Sequence, residues 1–182
     1  MAKRRSLRER IISMYSANET AGTIYGKFLK GKPYNKQKEA FDIFVDLAKV
    51  ENENISLRTK ALVMLDFFKG MVNSNWCTDC KIVNDYGNIP DIIEQNCSEI
   101  SNLIKANKLI HFGENTLLDK YITNTVSCAN IFKINSTTFL ELLDLLKLYY
   151  DLEKKDNLKI LNRTESYLYG QIKRIEEELK KP

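Results

Sequence analysis

The spacing of apolar residues is the feature of this chain that most constrains its fold. Apolar side chains recur at intervals of three and four residues along nearly all of the 182-residue sequence, as they do on one face of an α-helix. The chain has only 7 Gly and 3 Pro, too few for the many turns of a barrel or sandwich. "KIVNDYG", residues 81–87, is the one stretch that suits a short strand. The sequence therefore predicts an all-α protein, a compact bundle of about seven helices.

Capping and helix-breaking residues divide this pattern into elements. Ser6 and Thr20 are predicted to be the N-caps of the first two helices, and Gly31 followed by Pro33 ends the second. Ser56 is the predicted N-cap of the fourth helix. From the third onward, the predicted helices cover residues 35–50, 56–72, 90–107, 115–131, 137–153 and 163–180.

Positive charge is concentrated at the start of the chain. Residues 1–38 hold ten Lys or Arg against two acidic residues, whereas the remaining residues hold 18 basic and 22 acidic side chains. Such an asymmetry would attract a polyanion to this end of the molecule. A solvated tail that only increases solubility is the alternative.

The stretch "SLRERIISMYSANETAGTIYGKFLKGK", residues 6–32, has the layout of a helix-turn-helix. The two apolar faces are predicted to pack against each other, and Asn18 suits a left-handed turn. Lysines would contact phosphates as point charges, and threonines would reach base edges. The predicted contacts to nucleic acid, with DNA favoured over RNA, are Lys3, Arg4, Arg5, Arg8, Arg10, Thr20, Thr23, Lys27, Lys30 and Lys32. The alternative is a helical hairpin that merely caps the bundle.

The charge asymmetry and the apolar remainder suggest two parts. Residues 1–50 would form a basic helical module and residues 51–182 a helical bundle, or both would form one continuous domain. Within the second part, "FLELLDLLKLYYDL", residues 139–152, has only one narrow polar stripe. This helix must be covered either by the bundle itself or by a second copy of the chain or another protein.

The stretch "NSNWCTDCKIVN", residues 73–84, carries two of the four cysteines. Its "WCTDCK" resembles the W-C-x-x-C-K pattern of thioredoxin-like proteins, but that family has a strand before the motif, and here a helix is predicted. Because residues 73–89 lack a clear period, they are predicted to form an irregular loop. The favoured interpretation is a pair of unligated thiols in a loop anchored by Trp76.

Zinc is the competing interpretation of the cysteine pair. Cys77 and Cys80 have the spacing of a chelating pair, and Cys97 and His111 would complete a Cys3His site, with Cys128 as the alternative fourth ligand. If the cysteines are all unligated, no cofactor is expected.

Other chemistry has little support in the sequence. The chain has a single His and no P-loop, G-x-G-x-x-G or G-x-S-x-G motif, so we expect no enzyme. No apolar run could span a membrane, the start lacks a secretory signal, and sparse cysteines fit a cytoplasmic location. An Arg-rich transit peptide for an organelle is the alternative interpretation of the first residues.

The sequence thus favours a non-enzymatic nucleic-acid-binding protein, either a regulator or a packaging or replication accessory. A helical adaptor or assembly subunit that binds only protein partners is the alternative.

Overall fold

The computed structural model describes residues 5–106, 117–152 and 163–180. These residues contain α-helices, one 3₁₀-helix and no strand, which confirms the all-α prediction. The helices are α1 Leu7–Ser16, α2 Ala21–Phe28, α3 Tyr34–Ala48, α4 Ile55–Asn73, the 3₁₀-helix Asp79–Asp85, α5 Ile89–Lys105, α6 Leu117–Ile131, α7 Thr137–Tyr149 and α8 Arg163–Leu179.

The chain divides into two compact units, Met1–Ile92 and Ile93–Pro182. Residue 50 lies inside the first unit. The division expected there was drawn from charge and function, and it stays a prediction.

In the first unit, α3 and α4 pack along each other, and α1, α2 and the 3₁₀-helix pack onto that pair. An aromatic cluster forms the centre of this core, with ring centroids 5.2 Å apart for Phe41 and Phe68 and 5.7 Å apart for Phe44 and Phe68. The apolar faces of α1 and α2 are therefore covered mainly by α3 and α4, rather than by each other as the sequence suggested. Since both helices share this support, their positions relative to α3 are fixed by buried side chains.

Local hydrogen bonds define how the first helices begin and turn. Ser6 and Glu9 form a capping box, in which the Glu9 carboxylate accepts from the Ser6 amide at 2.7 Å. Thr20 caps α2 as predicted, and Asn18 adopts the left-handed conformation, with φ of 56°. Gly31 is also left-handed, with φ of 66°, so a side chain there would be strained.

Two local predictions are wrong. The N-cap of α4 is Asn54 and not Ser56, because the Asn54 side chain accepts from the Leu57 amide at 3.1 Å. The stretch 81–87 is not a strand, since its first five residues belong to the 3₁₀-helix. That helix buries Ile82 and Val83, which are spaced too closely for one face of a strand.

In the second unit, α6 and α8 pack against each other. The Leu168 and Ile172 side chains, four residues apart on one face of α8, are buried, so this face packs within the chain. On α7 the core-facing side chains are buried, whereas Leu148 is 72% exposed. None of the helices in the described ranges combines the length and apolarity needed to cross a bilayer.

Candidate functional site

An open cleft of about 220 Å³ lies on the first unit, between side chains of α1, α2 and α3. We call it the basic cleft. Its lining residues are Leu7, Arg10, Lys27, Phe28, Lys32, Lys36 and Ala40. Four of these seven described lining residues are Lys or Arg and none is acidic, so the cleft is an attractive place for an anion.

Two of the cations lie near the aromatic ring of Phe28. Its ring is buried, with 5% of the residue exposed. The Arg10 guanidinium lies 5.4 Å from the ring centroid, and the Lys27 ammonium lies 6.0 Å from it. Both distances allow cation–π attraction, which draws a charge from α1 and a charge from α2 toward the same ring. Leu7 and Ala40 supply the rest of the apolar lining.

The charges in the basic cleft are largely available to a ligand. Within the described part of the chain, Arg10, Lys27 and Lys32 form no ion pair with a carboxylate. Lys36 pairs with Glu39 at 2.9 Å, but both side chains are about half exposed or more. Exposed pairs of this kind contribute little free energy, so Lys36 can exchange Glu39 for a phosphate at small cost.

Other cations of the segment face carboxylates of the protein itself. The Arg8 guanidinium lies 2.7 Å from the Asp46 carboxylate, which joins α1 to α3. Its hydrogen bond is the main reason that the pKa of Asp46 lies below its ordinary value, although burial opposes the shift. Lys38 pairs with Asp42 at 3.0 Å. Arg8, a predicted contact to nucleic acid, is therefore partly neutralised by Asp46.

The remaining predicted contacts are distributed around the cleft. Arg5 and Lys30 are exposed but do not line it, and Lys3 and Arg4 lie outside the described residues. Thr20 and Thr23 are exposed on α2, with the Thr20 hydroxyl accepting from the Thr23 amide at 3.2 Å. Thr20 thus already serves as a helix cap.

Sequence reasoning did not assign Lys36 and Phe28 to the site. The charge count of the first 38 residues included Lys36, but its place on α3 separated it from the helix-turn-helix pattern. Phe28 matched the apolar face of α2 and so indicated only the core. Neither residue carries a local signal that would place it beside Arg10.

The cysteine pair lies on the same unit. Cys77 is partly exposed and Cys80 is fully buried. The Tyr25 hydroxyl lies 2.6 Å from the Cys77 sulfur, and the Asp79 carboxylate accepts from the Gly31 amide at 3.1 Å. The loop therefore contacts α2 and the turn that follows it.

The way this loop is held differs from the prediction. Trp76 is 80% exposed and cannot anchor the segment. Instead, the 3₁₀-helix buries Ile82 and Val83 together with Cys80. Residues 73–89 are thus only partly irregular, and their buried side chains begin at Cys80, the second cysteine of the pair, rather than at Trp76 before it.

The predicted zinc site stays a prediction. Cys97 and Cys128 are buried on α5 and α6, and His111 lies outside the described residues. Within the ranges that the structure describes, no group of three or more His, Cys, Asp or Glu side chains could hold a metal ion. The described chain therefore brings together only the pair Cys77 and Cys80.

Comparison with known proteins assigns no family to this chain. No protein-family model matches its sequence, and no curated protein or solved structure is significantly similar to it.

Proposed function

We propose that this protein is a non-enzymatic nucleic-acid-binding protein that holds phosphates in the basic cleft. One observation carries the proposal: cations from α1, α2, the following turn and α3 surround one cleft whose described lining includes no carboxylate. Lys and Arg side chains supply most of the electrostatic affinity for a nucleic-acid backbone. A regulator or a packaging or replication accessory fits this chemistry.

A polymer suits the cleft better than a small anion. The cleft is open, and the exposed side chains of Arg5 and Lys30 extend the positive charge beyond its lining. A chain of phosphates can satisfy separated cations, whereas one small anion cannot. Phe28 is too deeply buried to stack on a base, so contacts to the phosphate backbone should dominate over base recognition.

Duplex DNA is the preferred ligand within this proposal. The exposed side of α2 presents Thr23 and Lys27, and α1 precedes it as the supporting helix of a helix-turn-helix pair. Packing of both helices onto α3 and α4 gives this pair a rigid base. A rigid helix pair with cations on one side is suited to a preformed groove and its flanking phosphates.

The experiment is a binding titration with labelled duplex DNA and single-stranded RNA at low salt. The test variant is Lys27→Glu/Lys32→Glu, and the control is Lys81→Glu/Lys120→Glu, which changes two exposed lysines that do not line the cleft. We expect the test variant to lose affinity at least about tenfold, because two attractive contacts become repulsive. The control should change affinity far less.

Circular dichroism would establish that both variants keep their helices. Failure of the wild type to bind either polymer, or equal losses in the two variants, would contradict the proposal. Failure of the wild type to bind would favour the helical adaptor, with α7 as the first surface to examine for a protein partner.

A further inference from the structure

We propose that Cys77 and Cys80 are a site of reversible disulfide formation, with Cys77 as the attacking thiol and Cys80 as the resolving thiol. This inference concerns the chemistry of the loop itself and does not depend on nucleic-acid binding. It goes beyond the sequence-based expectation of two unligated thiols, because the structure gives the two cysteines different exposure and places them at the two sides of the start of the 3₁₀-helix.

The two cysteines are close together along the chain. Cys77 and Cys80 are three residues apart and flank the beginning of the 3₁₀-helix Asp79–Asp85. A disulfide needs two cysteines whose side chains meet across a short distance. Here the turn of the chain already supplies that approach, so the pair can close locally.

The two cysteines also differ in accessibility. Cys77 is partly exposed, so an oxidant in solution can reach its sulfur. Cys80 is fully buried, so an oxidant in solution does not reach its sulfur directly. Cys80 can instead react with a mixed disulfide formed on Cys77. Accessibility therefore assigns the first step to Cys77 and the second to Cys80.

The Cys77 thiolate is also stabilised by its neighbours. Burial raises the pKa of Cys77, but hydrogen bonds from the Tyr25 hydroxyl, the Cys80 thiol and the amides of Cys80 and Asp79 outweigh it and leave the pKa below the ordinary value. Burial, together with the neighbouring Cys77, raises the pKa of Cys80. Cys77 is thus the stronger candidate for a thiolate, while Cys80 keeps its proton.

The reaction balances with a low-molecular-weight disulfide as oxidant. The Cys77 thiolate attacks one sulfur of that disulfide, forming a mixed disulfide and releasing one thiolate. The Cys80 thiol then gives up its proton and attacks the Cys77 sulfur, which releases the second small thiol. Starting from the Cys77 thiolate, the protein pair loses two electrons and one proton, and the oxidant becomes one thiolate and one thiol. A dithiol reductant reverses both steps.

The test exposes the full chain to oxidised glutathione and maps the products by alkylation and mass spectrometry. We expect one intramolecular disulfide between Cys77 and Cys80, with Cys97 and Cys128 still alkylated as thiols after unfolding. Trp76, the only tryptophan, adjoins the pair and should report its oxidation by a change in fluorescence. Dithiothreitol should restore the starting signal.

Two variants separate the roles of the thiols. Cys80→Ser should accumulate glutathione on Cys77, because the resolving thiol is gone, whereas a matched Cys128→Ala control should form the same disulfide as the wild type. Tyr25→Phe should slow alkylation of Cys77 several-fold near neutral pH and shift its pH–rate profile to higher pH, because the thiolate loses a hydrogen bond. Alkylation rates of the wild type alone give the order of reactivity if a variant fails to fold.

Four results would overturn the proposal. The first is a pair that stays reduced at strongly oxidising glutathione ratios, and the second is wild-type Cys77 that retains glutathione without forming a disulfide with Cys80. A disulfide that includes Cys97 or Cys128 would also contradict it. So would zinc bound at one ion per chain with both thiols of the pair protected, since a metal would then be their partner.

Discussion

The salt dependence of DNA binding is the sharpest prediction from the basic cleft. Each protein cation that neutralises a phosphate of duplex DNA contributes about −0.9 to the slope of log affinity against log salt concentration. The cleft supplies four such cations, Arg10, Lys27, Lys32 and Lys36. They should contribute about −3.6 to the slope, so affinity should fall about 150-fold between about 50 and 200 mM salt.

Neutralising two of the four cations should change the salt slope by an amount that does not depend on the other contacts between the protein and DNA. Lys27→Gln/Lys32→Gln should reduce the magnitude of the slope by about 1.8, so that the cleft's share of the affinity loss over the same salt range becomes about 12-fold. Lys81→Gln/Lys120→Gln makes the same change in net charge outside the cleft lining and should leave the slope nearly unchanged. Fluorescence anisotropy at four or more salt concentrations measures all three slopes.

The outcome refutes the reasoning in either of two ways. Equal reductions in the two double variants would mean that only net charge matters and that the cleft has no special place in binding. An unchanged slope in Lys27→Gln/Lys32→Gln would mean that these lysines do not contact phosphates, whatever the affinity of the wild type.

Three further predictions concern the first unit and are measured by urea unfolding. Asn18→Gly should be more stable than Asn18→Ala by about 1 kcal/mol, because both variants lose the contact with Lys60 but only Ala is strained at a φ of 56°. Ser6→Ala should cost about 1 kcal/mol by removing the N-cap of α1. Tyr86→Phe removes the hydrogen bond that chiefly lowers the pKa of Asp42. The stability lost in this variant relative to wild type should therefore be present at neutral pH and shrink as the pH falls below about 4. If the stability difference between Tyr86→Phe and wild type is the same in acid as at neutral pH, the loss comes from packing and not from the hydrogen bond to Asp42.

Features fixed by neighbours along the chain could be predicted from the sequence. The caps by Ser6 and Thr20 and the left-handed Asn18 depend on hydrogen bonds or backbone preferences within a few residues. Where two capping residues lie close together, the same reasoning chose Ser56 although Asn54 makes the bond. Residue type alone does not rank two good capping residues, so this choice requires the coordinates.

Features fixed by distant residues could not be predicted. The pairing of Arg8 with Asp46 joins positions 38 residues apart, and nothing in either helix indicates it. The prediction that Trp76 anchors the loop was wrong. An aromatic residue type favours burial, but it does not indicate which way the backbone directs the side chain. Here Asn75 is left-handed, with φ of 57°, just after α4 ends, and Trp76 faces outward.

Two hydrogen bonds connect the cysteine-containing segment to α2 and the turn that follows it, next to residues that line the basic cleft, and this gives the two proposals a common consequence. Tyr25, held by Cys77, precedes Lys27 by two residues, and Gly31, held by Asp79, immediately precedes Lys32. A disulfide would change the Cys77 sulfur that Tyr25 contacts, on the element that carries Lys27. Coupling between oxidation and ligand binding must be reciprocal: if oxidation changes the affinity of the cleft tenfold, the ligand must shift the reduction potential of the pair by about 30 mV. If the potential is the same with and without DNA, oxidation leaves the affinity unchanged, and the two sites act separately even where each proposal holds.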